Sequence, residues 1–330
     1  MVDIMTMGEL LVDFIPGEKN RPLKDVNNFS KAAGGSPANV AAGLGRLGVD
    51  CGFIGKVGED SFGEFLLEKL QENNVDTTYL LQTEKAMTTL AFVSLTEDGD
   101  RDFAFYRKPG ADMLLSPEDL EADCLNEVDI FHFGTISLSK SPARETTYYL
   151  LELAEKNEVF VSFDPNIRLP LWDYDLEALR EHFFATLPHA DLVRMNIEEL
   201  LLLTDPGLEA AAVKKNTQAF KSELAEICGE LLTANPDYLI ITAGEMGAFF
   251  ISEEEMIYSA GYDIEAVDTT GAGDAFTAGM LSELLAKIKD DRHDDIDWQK
   301  VLDRGNRFGA YTSRRYGAIP AMPPEDGFEI

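Results

Sequence analysis

The stretch Asp268-Thr-Thr-Gly-Ala-Gly-Asp-Ala-Phe-Thr-Ala-Gly-Met-Leu281 sets a Gly-X-Gly turn directly before a carboxylate, at what reads as the start of a helix. Glycines leave backbone N–H groups uncovered, and the first helical turn carries N–H donors with no intrahelical partner. Such a turn binds anions and stabilises charge that builds up on a phosphoryl group in transfer. Asp274 would then sit beside the anion site, placed to accept a proton from an attacking hydroxyl. The plainer reading is that an acidic side chain in a first turn merely complements the helix macrodipole.

Upstream, apolar runs rich in Val, Ile and Phe alternate with amphipathic stretches. Residues Val2–Met7, Gly52–Val57, Ile130–Phe133, Val159–Phe163, Asp191–Met195 and Tyr238–Thr242 read as strands, and Phe62–Glu72, Pro142–Lys156 and Glu223–Leu232 as helices. That alternation predicts an α/β fold, a doubly wound, mostly parallel sheet flanked by helices, with ligands at the carboxyl ends of its strands. The whole chain, 1–330, reads as one domain. Two regions break the pattern, about 11–33 and 88–110: the runs Thr89–Leu95 and Asp102–Arg107 flank a hairpin signal, Glu97-Asp-Gly-Asp100. With no helices to cover them, these pieces predict a small β-sheet beside the main layer, the alternative being a plain surface hairpin. Thr204–Thr217 and Lys289–Asp297 are polar and read as loops.

Composition sets bounds. The chain has 330 residues, enough for a large core. Its 28 basic and 60 acidic residues give a net charge of −32, which repels nucleic acid and anionic membranes and excludes both as expected partners. The excess fits either a salty host cytoplasm or an ordinary acidic protein. No apolar run reaches the ~20 residues of a membrane helix. The early acidic residues Asp3, Glu9 and Asp13 argue against a secretory signal. Cys51, Cys124 and Cys228 are scattered, and such a set suggests reduced thiols in a cytoplasm. The four histidines show no metal spacing.

A second glycine-rich element, Gly34-Gly-Ser-Pro-Ala-Asn-Val-Ala41, precedes a helix for which Ser36 reads as the N-cap and Pro37 as the first helical residue. Gly43-Leu-Gly-Arg-Leu-Gly48 mimics a dinucleotide fingerprint, yet it ends a helix instead of opening one. Its small residues suit close helix packing. Asn196 and Glu199 form a capping-box pattern. Asp13 lies within Leu10-Leu-Val-Asp-Phe-Ile15, a poor place for a carboxylate unless it faces something polar.

Taken together, the two glycine-rich elements resemble the two signatures of the ribokinase-like (PfkB) family of sugar and nucleoside kinases, along nearly the whole chain. The segments Gly8-Glu-Leu-Leu-Val-Asp13, Phe105-Tyr-Arg-Lys-Pro-Gly-Ala-Asp112 and Asp164-Pro-Asn-Ile-Arg-Leu-Pro-Leu-Trp172 are most similar to those of fructokinases, and overlap with those of 2-keto-3-deoxygluconate kinases. The resemblance implies an ATP-dependent sugar kinase, with fructose the expected acceptor. It implies that Asp274 is the general base, that Gly271, Ala272 and Gly273 form the anion hole, and that Arg168 assists. Sugar contacts are implied for Asp13, Gly34, Gly35, Asn39, Phe105, Arg107, Arg168 and Asp274, with Lys108 in a segment that faces the sugar. Nucleotide contacts are implied for Asn196, Thr242, Gly244, Gly247, Gly271, Gly273 and Asn306. Glu199 would serve Mg²⁺ through water, and Asp268 and Thr270 a K⁺ loop. The two irregular regions would form the family's lid, whose exposed edge could pair with a second copy. Besides 2-keto-3-deoxygluconate kinase, a non-catalytic sugar-binding regulator on the same fold is the competing expectation.

Overall fold

The computed structural model describes residues 2–18, 21–95, 101–204, 218–234, 236–324 and 327–330. Its strands are β1 (Ile4–Met7), β2 (Leu11–Pro16), β3 (Phe29–Gly34), β4 (Cys51–Gly58), β5 (Val75–Asp76), β6 (Leu80–Thr83), β7 (Leu90–Leu95), β8 (Arg101–Tyr106), β9 (Ile130–Gly134), β10 (Phe160–Asp164), β11 (Leu192–Asn196), β12 (Tyr238–Thr242), β13 (Gly247–Ile251) and β14 (Met256–Ala260). Its helices are α1 (Ser36–Arg46), α2 (Ser61–Glu72), α3 (Ala143–Lys156), α4 (Leu176–Thr186), α5 (Ile197–Thr204), α6 (Gln218–Leu232), α7 (Ala272–Lys289) and α8 (Trp298–Ser313).

Among the described residues ten strands make one sheet, ordered β14-β13-β12-β11-β10-β9-β1-β4-β5 with β6 beside β4. All pairs from β12 to β5 run parallel, and only β13 and β14 add on antiparallel. A parallel sheet is covered on both faces, and the side chains sort accordingly. In β1 and β9, Ile4 and Ile130 enter one core, while Met5, Met7, Phe131 and Phe133 enter the other. Helices α1, α2, α7 and α8 cover the first face, and α3 to α6 the second. This is the expected doubly wound architecture, with strand limits shifted by a residue or two. The stretch read as a loop from Lys289 begins one residue late, since α7 runs through Lys289, and a short 3₁₀ turn occupies His293–Asp295.

A separate four-stranded sheet, β3-β2-β7-β8, fulfils the expectation for the irregular regions. Strands β2 and β7 pair in parallel, so segments far apart in sequence share one sheet. On one face Phe14, Phe29, Phe92 and Tyr106 meet with ring centroids 4.8–6.4 Å apart. The turn Glu97-Asp-Gly-Asp100 lies outside the described residues, and so do residues 205–217 of the stretch Thr204–Thr217, whose first residue instead closes α5. Among the described residues no helix is long and apolar enough to cross a membrane. The three cysteines are free and buried.

The start of α1 corrects one expectation. Ser36 is not the N-cap: Gly35 is, and Pro37 stands second in the helix. The Ser36 N–H donates instead to Oε1 of Glu9 (2.8 Å), a buried carboxylate from the β1–β2 connection, and its hydroxyl makes a separate tertiary bond. Gly35 has φ +109°, and a Cβ there would lie 2.2 Å from the Glu9 carbonyl oxygen, so no other residue fits. Farther along, a Cβ on Gly43 would meet the Ala278 Cβ at 2.8 Å. Gly43 of the false fingerprint thus lets α1 lie close against α7.

Burial outweighs the backbone hydrogen bonds to Glu9 and, with Asp112 nearby, pushes its pKa up to about 7. An acid raised in this way lends stability below its unfolded pKa near 4.5, and loses it as pH rises to about 7. Glu9→Gln mimics the protonated form and keeps the acceptor for Ser36. We expect a melting temperature above wild type at pH 8, by up to about 3 kcal/mol of stability, with the gain shrinking toward pH 5. An equal or larger gain at pH 5 would contradict this.

Candidate active site

The carboxyl ends of β10, β11 and β12 face the N-terminus of α7, where α1 also begins. Gly271, the N-cap of α7, has φ +72°, and a Cβ there would meet Ala318 at 2.6 Å, so the turn depends on glycine. It delivers Asp274 into the first helical turn, 6% exposed. The Ser36 hydroxyl donates to Asp274 Oδ1 (2.7 Å), and Asn39 Nδ2 donates to Oδ2 (2.8 Å). Two helix N-termini therefore converge on one carboxylate, an arrangement that favours negative charge. Burial still dominates and raises the Asp274 pKa, against the two hydrogen bonds that lower it. The Ala272 N–H is turned inward to the Thr269 carbonyl (3.2 Å), so the donors left to the cavity are those of the flanking glycines.

Two cavities meet here. One, about 550 Å³, is lined by Asp274, Gly271, Arg168, Asn196, Glu199 and Thr270 among others. The second, about 680 Å³, runs past Gly247, Ala272 and Phe276 to Asn306 and Ser313 on α8. Thr242, Gly244, Gly273 and Arg194 border both. The Asn306 amide donates to Ser259 (2.9 Å to Oγ), tying α8 to the end of β14. Asn196 and Glu199 form the reciprocal capping box of α5, the Glu199 N–H reaching Asn196 Oδ1 (2.7 Å) and the Asn196 N–H reaching Glu199 Oε2 (3.0 Å). Glu199 Oε1 accepts from the Ile167 N–H (2.8 Å), so both of its oxygens are already held, and burial, with Asp164 beside it, raises its pKa. A metal would be served from here through water, with Glu198 on the same wall as a further carboxylate.

Other expected residues lie apart from this pair of cavities. Phe105, Arg107 and Lys108 line a third one of about 380 Å³, next to Lys140 and Leu171. Arg107 is buried and bound to Asp112, with Nε and Nη2 each 2.7 Å from Oδ2, and Thr89 Oγ1 donates to the other oxygen (2.5 Å). Its charge is thus met within the protein, at the root of the small sheet. Asp13 projects over Gly34, where a Cβ would lie 2.2 Å from its Oδ2. Asp268 accepts from the Thr270 N–H (2.9 Å) and hydroxyl (2.6 Å) and from the Gly317 N–H (3.0 Å), which shapes the loop before α7. Among the described residues no group of three or more His, Cys, Asp or Glu side chains could hold a metal ion.

Sequence reasoning missed Arg194. It is 6% exposed in the middle of β11, donating from Nη1 to Asp164 Oδ2 (2.9 Å) and from Nη2 to Thr242 Oγ1 (2.8 Å). Burial opposes its charge, but Asp164 and Glu199 outweigh that and raise its pKa. Removing one partner of such a buried pair typically costs about 3–5 kcal/mol. The signal was present: an arginine inside the apolar strand Leu192-Val-Arg-Met-Asn196 is as anomalous as Asp13 in its own strand.

Comparison with known proteins agrees with this geometry. The model of the pfkB family carbohydrate kinases matches residues 1–325. Probable fructokinase-7 of Arabidopsis thaliana is 37% identical over 332 residues, covering 99% of this chain and 91% of that protein. A sugar kinase from Pyrococcus horikoshii in complex with ATP superposes with a TM-score of 0.82 at 33% identity, over 98% of this chain and 96% of that one. A fructokinase double mutant from Vibrio cholerae O395, in fructose, ADP and potassium ion bound form, gives 0.82 at 29% identity, with the same coverage.

The Ser36 hydrogen bond leads to a direct test. Carbon-13 NMR titration of labelled aspartate should place Asp274 above the ordinary aspartate range, and Ser36→Ala should move it higher still. An unchanged or lower pKa in the variant would show that the hydroxyl does not hold the carboxylate ionised.

Proposed function

The chain belongs to the pfkB family of carbohydrate kinases, and we propose that the sugar it phosphorylates with ATP is D-fructose, at the primary hydroxyl, giving D-fructose 6-phosphate. The observation that carries this reading is the buried Asp274, fixed by Ser36 and Asn39 where the two cavities meet. A binder without chemistry has no need of a carboxylate held in that way. The fructokinase relatives and the fructose-bound neighbour favour the ketose over other acceptors.

In this mechanism the nucleotide lies in the cavity that ends at Asn306, with its phosphates running past Gly244 and Thr242 toward Gly273. The sugar lies at the Asp274 end of the other cavity, on the side of α1 and the small sheet. Asp274 takes the proton of the primary hydroxyl as that oxygen attacks in line. A loose phosphoryl transfer needs the proton removed only late, so a carboxylate of modestly raised pKa suffices. Glycine N–H groups of the α7 turn stabilise the charge on the transferring group, and Arg168 assists from the β10 loop. Glu199 and Asn196 would reach Mg²⁺ through water, and the ion would neutralise phosphate charge there. K⁺ would be held by carbonyl oxygens of the loop that Asp268 and Thr270 shape. The small sheet acts as a lid, with Asp13 and Asn39 binding sugar hydroxyls and Phe105 helping to exclude water. The edge of that sheet is the face proposed for pairing with a second copy.

Asp274→Asn keeps the shape of the side chain but removes the base. It should lower kcat by about 10²–10⁴ while the fold and fructose binding persist; a folded variant with half of wild-type turnover would refute the assignment.

Fructose should exceed 2-keto-3-deoxygluconate in kcat/KM. The sugar acid needs a cationic partner, and Arg107 is already bound to Asp112. A site built for particular hydroxyls rejects analogues lacking them by up to ~10⁴. Coupled-assay kinetics on both acceptors decide this, and a higher kcat/KM for the acid would reassign the enzyme.

A further inference from the structure

We propose that Arg194 is a further catalytic residue, whose guanidinium grips the terminal phosphate of the nucleotide and follows the phosphoryl group as it crosses to the sugar. The inference rests on the reading of the two cavities as nucleotide and sugar sites, and places Arg194 at the passage between them.

A guanidinium has five N–H groups. Arg194 places one on Asp164 and one on Thr242, and its buried Nε has no partner. Further N–H groups on Nη1 and Nη2 remain. Those two nitrogens press against the turn of α7: a Cβ built on Gly273 would lie 3.0 Å from each. Glycine at that position therefore keeps the fork uncovered, beside the donors of the turn. The same side chain borders both cavities, so a phosphate moving from one toward Asp274 passes it.

The surroundings explain why arginine is suited to the position. Asp164 is held on its other oxygen by the Asn166 N–H (3.1 Å), and Thr277 donates to Oδ2 (3.3 Å), so the carboxylate is a fixed anchor. It orients the planar fork, which a lysine on a flexible stem cannot reproduce. Phe276 lies under the cation, 5.6 Å from ring centroid to Cζ. In the transfer, the bond from the sugar oxygen to phosphorus forms as the bond to the bridging oxygen of ADP breaks. The hydroxyl proton goes to Asp274. Arg194 gains and loses no proton and donates only to the non-bridging oxygens.

Two variants test this. Arg194→Lys keeps a cation beside Asp164 and loses the fork. The pair Arg194→Gln with Asp164→Asn removes both charges together, so that no buried charge is left alone. Calorimetry without sugar would compare AMP with the β,γ-imido analogue of ATP, with thermal melts run alongside. We expect folded proteins with AMP affinity unchanged, affinity for the ATP analogue lower by about tenfold or more, and kcat lower by about 10²–10³. Equal loss for AMP and the analogue, or loss for neither, would overturn the proposal. So would failure of both variants to fold, which would make Arg194 a structural tie between strand ends. Because nucleotide binding is read without sugar, the result stands whether or not fructose is the acceptor.

Discussion

Everything at the site depends on the contact between the first turn of α1 and the Asp274 carboxylate at the first turn of α7. A carboxylate buried to this extent would protonate if left alone, since taking charge out of water is costly. Hydrogen bonds from Ser36 and Asn39, at the positive end of α1, oppose that. They are possible only because two helices more than two hundred residues apart in the chain approach closely. Gly43 against Ala278 permits the approach, and Gly35 lets the chain enter α1 from the small sheet. Glu9 holds the entry by accepting the Ser36 N–H. Each of these residues is small or buried for a reason that ends at Asp274.

A second constraint is charge. The chain carries −32 overall and uses ATP, a polyanion. The cavity of Asp274 also has Glu198, Glu199 and Glu245 on its walls, against Arg168 and Arg194. On the proposed mechanism, uncovered N–H groups of the α7 turn and the two arginines would supply the local attraction, and bound Mg²⁺ the rest. Buried carboxylates nearby are each engaged: Asp164 by Arg194, Glu199 by two backbone N–H groups, Asp112 by Arg107 and Thr89.

Much of this was legible in the residues. The Gly-X-Gly turn, the alternation of runs and the position of Asp274 follow from local rules that the fold obeys. The small sheet was also legible as a helix-free interruption, though not the parallel pairing of β2 with β7, because strand partners distant in sequence leave no local trace. Ser36 was misread for the same kind of reason. A serine before a helix is ordinarily its cap, and only the tertiary position of Glu9 and Asp274 redirects both its N–H and its hydroxyl. Arg194 could have been found by asking why an arginine interrupts an apolar strand. Its partners Asp164 and Thr242 come from neighbouring strands, however, and only the register of β10, β11 and β12 brings them together.

The central claim is that α1 acts on catalysis through the Asp274 carboxylate. A double-mutant cycle on kcat with Ser36→Ala and Asp274→Asn tests it most directly. The account predicts that Ser36→Ala lowers kcat in the wild-type background and changes nothing further once Asp274 is Asn. Loss of the same factor in both backgrounds would contradict it, since the hydroxyl would then act independently of the carboxylate it touches.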